Sequence, residues 1–485
     1  MTDTDPTFWS PDGKDILIFS DGTGQVGGLR PDQRLSNVYK LFRAMRPDDN
    51  AAISPRRQVA FYDPGLGASE GGGDLFARLV RISASAFGTG ISENVIDCYE
   101  AILRFYERGD RVFLFGFSRG AYTARSIACV LNLCGVPTTD GNGGPLPRHG
   151  ERLRKIAQEA VYEVHDHGLG HPRAAFEDER EEKAARFRKR YGSEGIGLDG
   201  ESQGNVAPHF IGVFDTVASL GTGLAAWLTA GAFLGSATLA AVSFASGSPV
   251  LGSLVAIPAA WLAWRFARIS LRQEKVFVDL SGARKRRRRH MAAWNSNNYD
   301  RYLDTSVRYA RHARSIDEDR ARFPLVKWAY GRDVQRLDHL EPKWLKQVWF
   351  AGNHSDIGGS YPESESRLSD IPLEWMVQEL QVIERPPIVD MARLNLAPDP
   401  SGMQHDEVHG LREMWPSWLP FRDKLTWRRA PREIGKDYDL HESVYERFEL
   451  PMVTQHDRRA PYRPAALTVH DKVGHYYHPP ATADG

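Results

Sequence analysis

The pentapeptide Gly116-Phe117-Ser118-Arg119-Gly120 lies between an apolar run, Arg111 to Phe115, and a stretch of helical periodicity from about Ala121 to Leu133. A serine flanked by glycines at a strand-to-helix turn is held above a sheet edge, where its hydroxyl can act as a nucleophile. The glycines suit a strained turn in which side chains would collide with the neighbouring strand and helix. The plainer reading is a tight turn with a serine cap.

A nucleophilic serine needs a base, and the base needs an orienting carboxylate, in the chain order serine, acid, histidine for an α/β sheet of this kind. The run His209 to Phe214 leads into Asp215, and the run Gln347 to Phe350 leads through Ala351-Gly352-Asn353 into His354. Ser118, Asp215 and His354 therefore form the expected catalytic set. Read singly, Asp215 could be a helix cap and His354 a loop hydrogen-bonder. Asp356, two residues past His354, is a competing acid whose position suits support of the loop better than orientation of the imidazole. The backbone N–H of Arg119, opening a helix, is a candidate oxyanion donor. Gly22 and Thr23, beside Asp21, are candidates for a second donor, with Asp21 supporting the loop or simply forming a turn.

These residues need strands to position them. Asp15 to Ser20 reads as a buried strand ending in Asp21-Gly22-Thr23-Gly24. Gln58 to Tyr62 is a second strand and Arg111 to Phe115 a third, with a helix from about Ile91 to Tyr106 between them. Alternation of strand and helix predicts an α/β fold with a mostly parallel sheet flanked by helices. A charged helix around Glu177 to Arg190 reads as a solvated face.

The separated motifs resemble the uncharacterised α/β-hydrolase domain family that includes the first class of type VI secretion system phospholipase effectors. The similar segments are Phe19 to Gly24, Tyr62 to Gly67, Gly116 to Arg125, Gly212 to Val217, Ile316-Asp317-Glu318 with Arg320, and His354 to Gly359. Together they extend discontinuously over about residues 15 to 380. The resemblance implies an α/β-hydrolase fold, a triad at Ser118, Asp215 and His354, ester hydrolysis, and phospholipid substrates for some members. Ser20 departs from many relatives, and a delivery module is not recognisable.

Between acid and base lies an apolar insertion. Leu220 to Ala245 carries no charge, Ser246-Gly247-Ser248-Pro249 suggests a reversal, and Val250 to Trp264 is again uncharged. The lengths predict a helical hairpin crossing a bilayer through about residues 220–268; the alternative is a soluble lid or dimer contact. The basic run Arg284 to Arg289 follows. On the positive-inside rule it would place the catalytic part on the cytoplasmic side of a membrane, with a bacterial inner membrane as the expected one, and it could also meet anionic headgroups.

The chain of 485 residues has 62 basic and 62 acidic side chains, so no global field favours nucleic acid. Cys98, Cys129 and Cys134 lack zinc-like spacing and suggest a reducing compartment. The triad chemistry requires no metal or organic cofactor, and an acidic, polar N-terminus lacks the features of a secretory signal. The expected organisation is 1–216 and 270–384 as two parts of a hydrolase domain, 217–269 as the inserted hairpin, and 385–485 as an extension packed on it. The expected function is a membrane-associated lipase- or phospholipase-like serine hydrolase. The alternatives are an esterase on small soluble esters and an inactive membrane-anchored scaffold.

Overall fold

Alternating side chains give the strand Asp15–Ser20 (β1) two apolar faces: Ile16 and Ile18 enter one core, Leu17 and Phe19 the other. A computed structural model describes residues 5–22, 25, 27–28, 34–49, 52–65, 89–217, 223–279, 287–292, 301–321, 323–328, 341–408 and 426–477. The other sheet strands are Gln58–Asp63 (β2), Arg111–Phe117 (β3), Phe210–Phe214 (β4), Tyr309–Ser315 (β5) and Leu345–Phe350 (β6). All pair in parallel, in the order β6-β5-β4-β3-β1-β2. Burial on both faces explains why β1, β3 and β4 read as near-continuous apolar runs.

The principal helices are Asn37–Met45 (α1), Thr89–Phe105 (α2), Arg119–Cys134 (α3), the long pair Gly223–Ala245 (α4) and Pro249–Gln273 (α5), and Arg367–Gln381 (α6). Helices α2 and α3 cover one face of the sheet through residues such as Val95, Ile102, Ile127 and Leu131. Helices α1 and α6 cover the other through Val38, Leu41, Leu373 and Met376. A third core joins Ile316 and Trp349, at the ends of the sheet, to Val444, Phe448 and Tyr462 from the C-terminal part. The α/β architecture expected from the sequence is therefore present.

Strand β5 was not among the expected strands. Its sequence, Tyr-Ala-Arg-His-Ala-Arg-Ser, suggests a surface, yet all seven residues are buried. The charges are accommodated by partners: Arg311 Nε donates to Glu379 Oε2 at 2.5 Å, and Arg314 donates to the Gln347 carbonyl and lies 4.5 Å over the Trp349 ring.

Helices α4 and α5 pack against each other as a pair, with Gly247 at φ +78° in the reversal. The transmembrane expectation is corrected: among the described residues no helix is long and apolar enough to cross a membrane. Glycine, alanine and serine make up much of the pair, and Arg268 and Arg272 charge the end of α5. The assignment of the catalytic part to the cytoplasmic side depended on a spanning hairpin and loses that support. Part of the basic cluster, 284–286, lies outside the described residues; Arg287, Arg288 and Arg289 form one strand of a two-stranded hairpin with Glu274–Val278.

Candidate active site

Strand β3 ends directly at Ser118, whose φ of +59° and ψ of −121° make a sharp turn into α3. Such a backbone costs on the order of 1–3 kcal/mol and persists where the surroundings enforce it. The flanking glycines account for that enforcement. A Cβ on Gly116 would lie 2.4 Å from the Gly120 carbonyl oxygen, and one on Gly120 would lie 2.0 Å from the Ser20 carbonyl oxygen at the end of β1. Gly120→Ala is therefore expected to destabilise the fold by about 3 kcal/mol, because the contact is with backbone that cannot rotate away. Thermal or urea unfolding measures this, and a variant within 0.5 kcal/mol of wild type, the usual range for neutral surface changes, would refute the close packing.

His354 Nε2 lies 2.8 Å from Ser118 Oγ, and His354 Nδ1 lies 2.6 Å from Asp215 Oδ2. The three side chains come from the C-terminal ends of β3, β4 and β6, and all are buried. His354 opens the short helix His354–Gly358, capped by Asn353, so its backbone is fixed before its ring is considered. Phe117 and Phe323 pack on the imidazole at ring-centroid distances of 4.7 and 5.2 Å. Asp215 itself has φ +34°, and its backbone N–H donates to the Ala313 carbonyl at 2.7 Å.

Every acceptor direction of Asp215 is used. Besides His354, Oδ1 accepts from the Ser315 N–H at 3.1 Å and from Arg432 Nη1 at 3.2 Å, while Oδ2 accepts from Arg432 Nη2 at 2.9 Å. Burial alone would raise this carboxyl, but the Arg432 charge and the His354 and Ser315 hydrogen bonds outweigh it and hold the group well below the ordinary range. Glu318 forms a second pair beside the histidine: it is held by Arg320 through contacts of 2.8 Å and accepts from the His354 N–H at 3.3 Å. Two carboxylates, each paired with a guanidinium, thus meet His354, Asp215 at the ring and Glu318 at the backbone N–H.

The remaining expected residues have mixed placements. Asp356 is the loop brace: Oδ2 accepts from the N–H groups of Asn353 and His405 at 3.0 and 3.1 Å, and Oδ1 lies 2.7 Å from His405 Nδ1. Asp21 accepts from Ser36 Oγ and from the Tyr62 hydroxyl at 2.7 Å, and burial raises its carboxyl to about 6 against those hydrogen bonds. Asp63, next to it at the end of β2, is similarly pushed by burial to about 7. The Gly22 N–H donates to Asp21 Oδ1 at 2.7 Å, so the structure has it occupied rather than directed at an oxyanion site. Thr23 lies outside the described residues. Arg119 is the first residue of α3, where a backbone N–H has no intrahelical acceptor.

Arg432, Ser315 and the histidine-facing role of Glu318 were missed from the sequence. Glu318 sits in the quoted Ile316-Asp317-Glu318 motif, which hinted at it; Arg432 is one arginine in an arginine-rich stretch, Arg428 to Arg432, and nothing marks it. The C-terminal part also braces other site loops, through His405 on Asp356 and the Tyr462 hydroxyl on Asp317 at 2.8 Å. A charged cavity of about 710 Å³ opens beside these braces, bordered by Asp317, Glu318, Arg320, Asn353, His405 and Arg429.

A parallel α/β sheet with hydrogen-bonded serine, histidine and aspartate at its strand ends has the layout of a hydrolase. The chain belongs to the type VI secretion system family of Tle1-like phospholipase effectors, whose catalytic-domain model matches residues 14–379. An uncharacterized protein of Saccharomyces cerevisiae is 29% identical over 138 residues, covering 27% of this chain and 19% of its own. The crystal structure of an uncharacterized protein from Pseudomonas aeruginosa has a TM-score of 0.35 at 16% identity, covering 80% of this chain and 49% of that one. The chain thus spans less than half the length of these two relatives.

Proposed function

We propose that this protein is a serine hydrolase that cleaves carboxylic esters of phospholipids, with Ser118 as nucleophile, His354 as general base and acid, and Asp215 as the group that orients the imidazole. The observation that carries this reading is the continuous pair of short contacts from Ser118 through His354 to Asp215. His354 Nε2 takes the Ser118 proton as Oγ adds to the ester carbonyl. The imidazolium returns that proton to the departing alcohol, leaving an acyl-enzyme. Water, deprotonated by the same imidazole, then adds to the acyl carbonyl; the imidazolium returns the proton to Ser118 Oγ as its bond to the acyl group breaks and the fatty acid leaves. Family membership supports a phospholipase-type reaction. The charged cavity beside the site suits a polar headgroup better than an acyl chain.

In this reading 1–216 and 270–384 make the hydrolase body, 217–269 is an inserted helical pair, and 385–485 is an extension packed on the body. The pair rests on the lipid surface without crossing it. Val250, Leu254 and Ile257 on α5 are 74%, 64% and 70% exposed, and Arg268 and Arg272 follow on the same helix. Residues four and three apart on one helix share a face, and an exposed apolar helix face matches a bilayer interface.

Incubation with anionic phospholipid vesicles is expected to release fatty acid and lysophospholipid, detected by mass spectrometry. Val250→Asp/Ile257→Asp is expected to weaken vesicle co-sedimentation about tenfold or more, given the apolar area withdrawn from lipid. Turnover of small soluble esters with none of phospholipid would favour the plain esterase, and unchanged vesicle binding in the double variant would refute the interfacial role of α5.

A further inference from the structure

We infer that Arg432 is a positioning residue of the active site, a fourth member that sets the charge and orientation of Asp215, so that the C-terminal extension completes the catalytic centre. The inference rests on the triad reading and adds a residue that lies beyond the matched family region, 14–379. Its guanidinium approaches both carboxylate oxygens, at 3.2 Å from Nη1 and 2.9 Å from Nη2, in the two-pronged geometry that fixes a carboxylate plane. Oδ2 is shared: it meets Arg432 and His354 Nδ1 together. Both partners are buried, Asp215 fully and Arg432 at 8% exposure, so water does little to screen the pair.

This arrangement changes what the aspartate does. An unpaired buried carboxylate would stabilise the imidazolium through its full charge. Here that charge is compensated, and the aspartate's remaining effect is directional, holding Nδ1 protonated and Nε2 toward Ser118. The other groups facing the histidine leave the balance as it is: Glu318 is held by Arg320, Phe117 and Phe323 are apolar, and Ser118 is neutral. His312, beneath the site, accepts from the Thr216 N–H at 3.2 Å and is kept uncharged by burial and by the arginines near it.

Removing the guanidinium charge exposes the imidazolium to an uncompensated carboxylate and favours the protonated, inactive form of the base. The acidic limb of the kcat/KM profile then moves to higher pH. For Arg432→Gln the expected displacement is about one pH unit, with a loss at neutral pH of about tenfold to a hundredfold from the loosened carboxylate. Arg432→Lys keeps the charge and loses the fork, so its limb stays near that of wild type while the rate falls.

The experiment measures pH profiles of kcat/KM on a p-nitrophenyl acyl ester for the full-length wild type and both variants. Circular dichroism and fluorophosphonate labelling accompany the rates. An unmoved limb in folded Arg432→Gln, or identical profiles for the two variants, would overturn the inference. If Arg432→Gln fails to fold, Arg432→Lys decides: a lowered rate on an unmoved limb supports the inference, while a wild-type rate, or failure of this variant to fold as well, marks the arginine as structural and overturns it. Loss of the triad reading itself would look different, as labelling that persists in Ser118→Ala.

Discussion

Ser118→Ala is expected to abolish labelling by a fluorophosphonate and to lower ester turnover by at least about a thousandfold while leaving the fold intact. In the proposed mechanism the hydroxyl is the atom that forms the acyl-enzyme, with His354 as its base at 2.8 Å. Its loss also removes little structure, since the Ser118 backbone N–H bonds to the Phe214 carbonyl at 3.1 Å and its side chain caps nothing in α3. Unfolding midpoints should therefore be close to wild type. Retained labelling or turnover would remove Ser118 from the mechanism and with it the hydrolase reading of this site.

Asp215→Asn should be nearly as severe for activity and much worse for stability. An amide at this position can present an N–H to His354 Nδ1 and so favour the wrong tautomer, an effect of about ten-thousandfold on kcat where such a triad operates. The same change leaves the Arg432 guanidinium buried without its anion, for which a loss of about 3–5 kcal/mol is expected. The double variant Asp215→Asn/Arg432→Gln should recover part of that stability without recovering activity, which separates the two roles. The acid dependence has a definite sign. Because the folded carboxyl is held below its unfolded value of about 3.9, its stabilising contribution is present above that pH and is lost as pH falls toward the folded value. Denaturant titrations of wild type and Asp215→Asn should consequently converge on strong acidification; parallel curves down to low pH would contradict the ion pair.

The sequence was informative where one local rule was sufficient. A strand buried on both faces announces itself by a continuous apolar run, so β1, β3 and β4 were legible, and the turn after β3 was legible because only glycine fits at positions 116 and 120 around Ser118. Asp215 and His354 could be placed because each follows such a run. Strand β5 was hidden because Arg311, His312 and Arg314 look like surface residues until Glu379, Gln347 and Trp349 are brought to them from elsewhere in the chain. The same reason hid Arg432: its partner is 217 positions away, and an arginine destined for a buried carboxylate has no local signature. The long apolar pair misled in the opposite direction, since uncharged length suggests a bilayer while the small side chains of α4 and α5 allow close packing of one helix on the other.

The separations that hide these partners also bear on how the protein acquires reactivity. Ser118 meets His354 across 236 positions, His354 meets Asp215 across 139, and Asp215 meets Arg432 across 217. Contacts so distant along the chain carry a loop-closure cost that local helices do not. On the proposed triad, a nascent chain that has not reached His354 holds its serine without a base, and one interrupted before Arg432 leaves Asp215 without its guanidinium partner. On the proposed mechanism, hydrolytic competence requires the whole chain through Arg432 and not only the strand that carries Ser118.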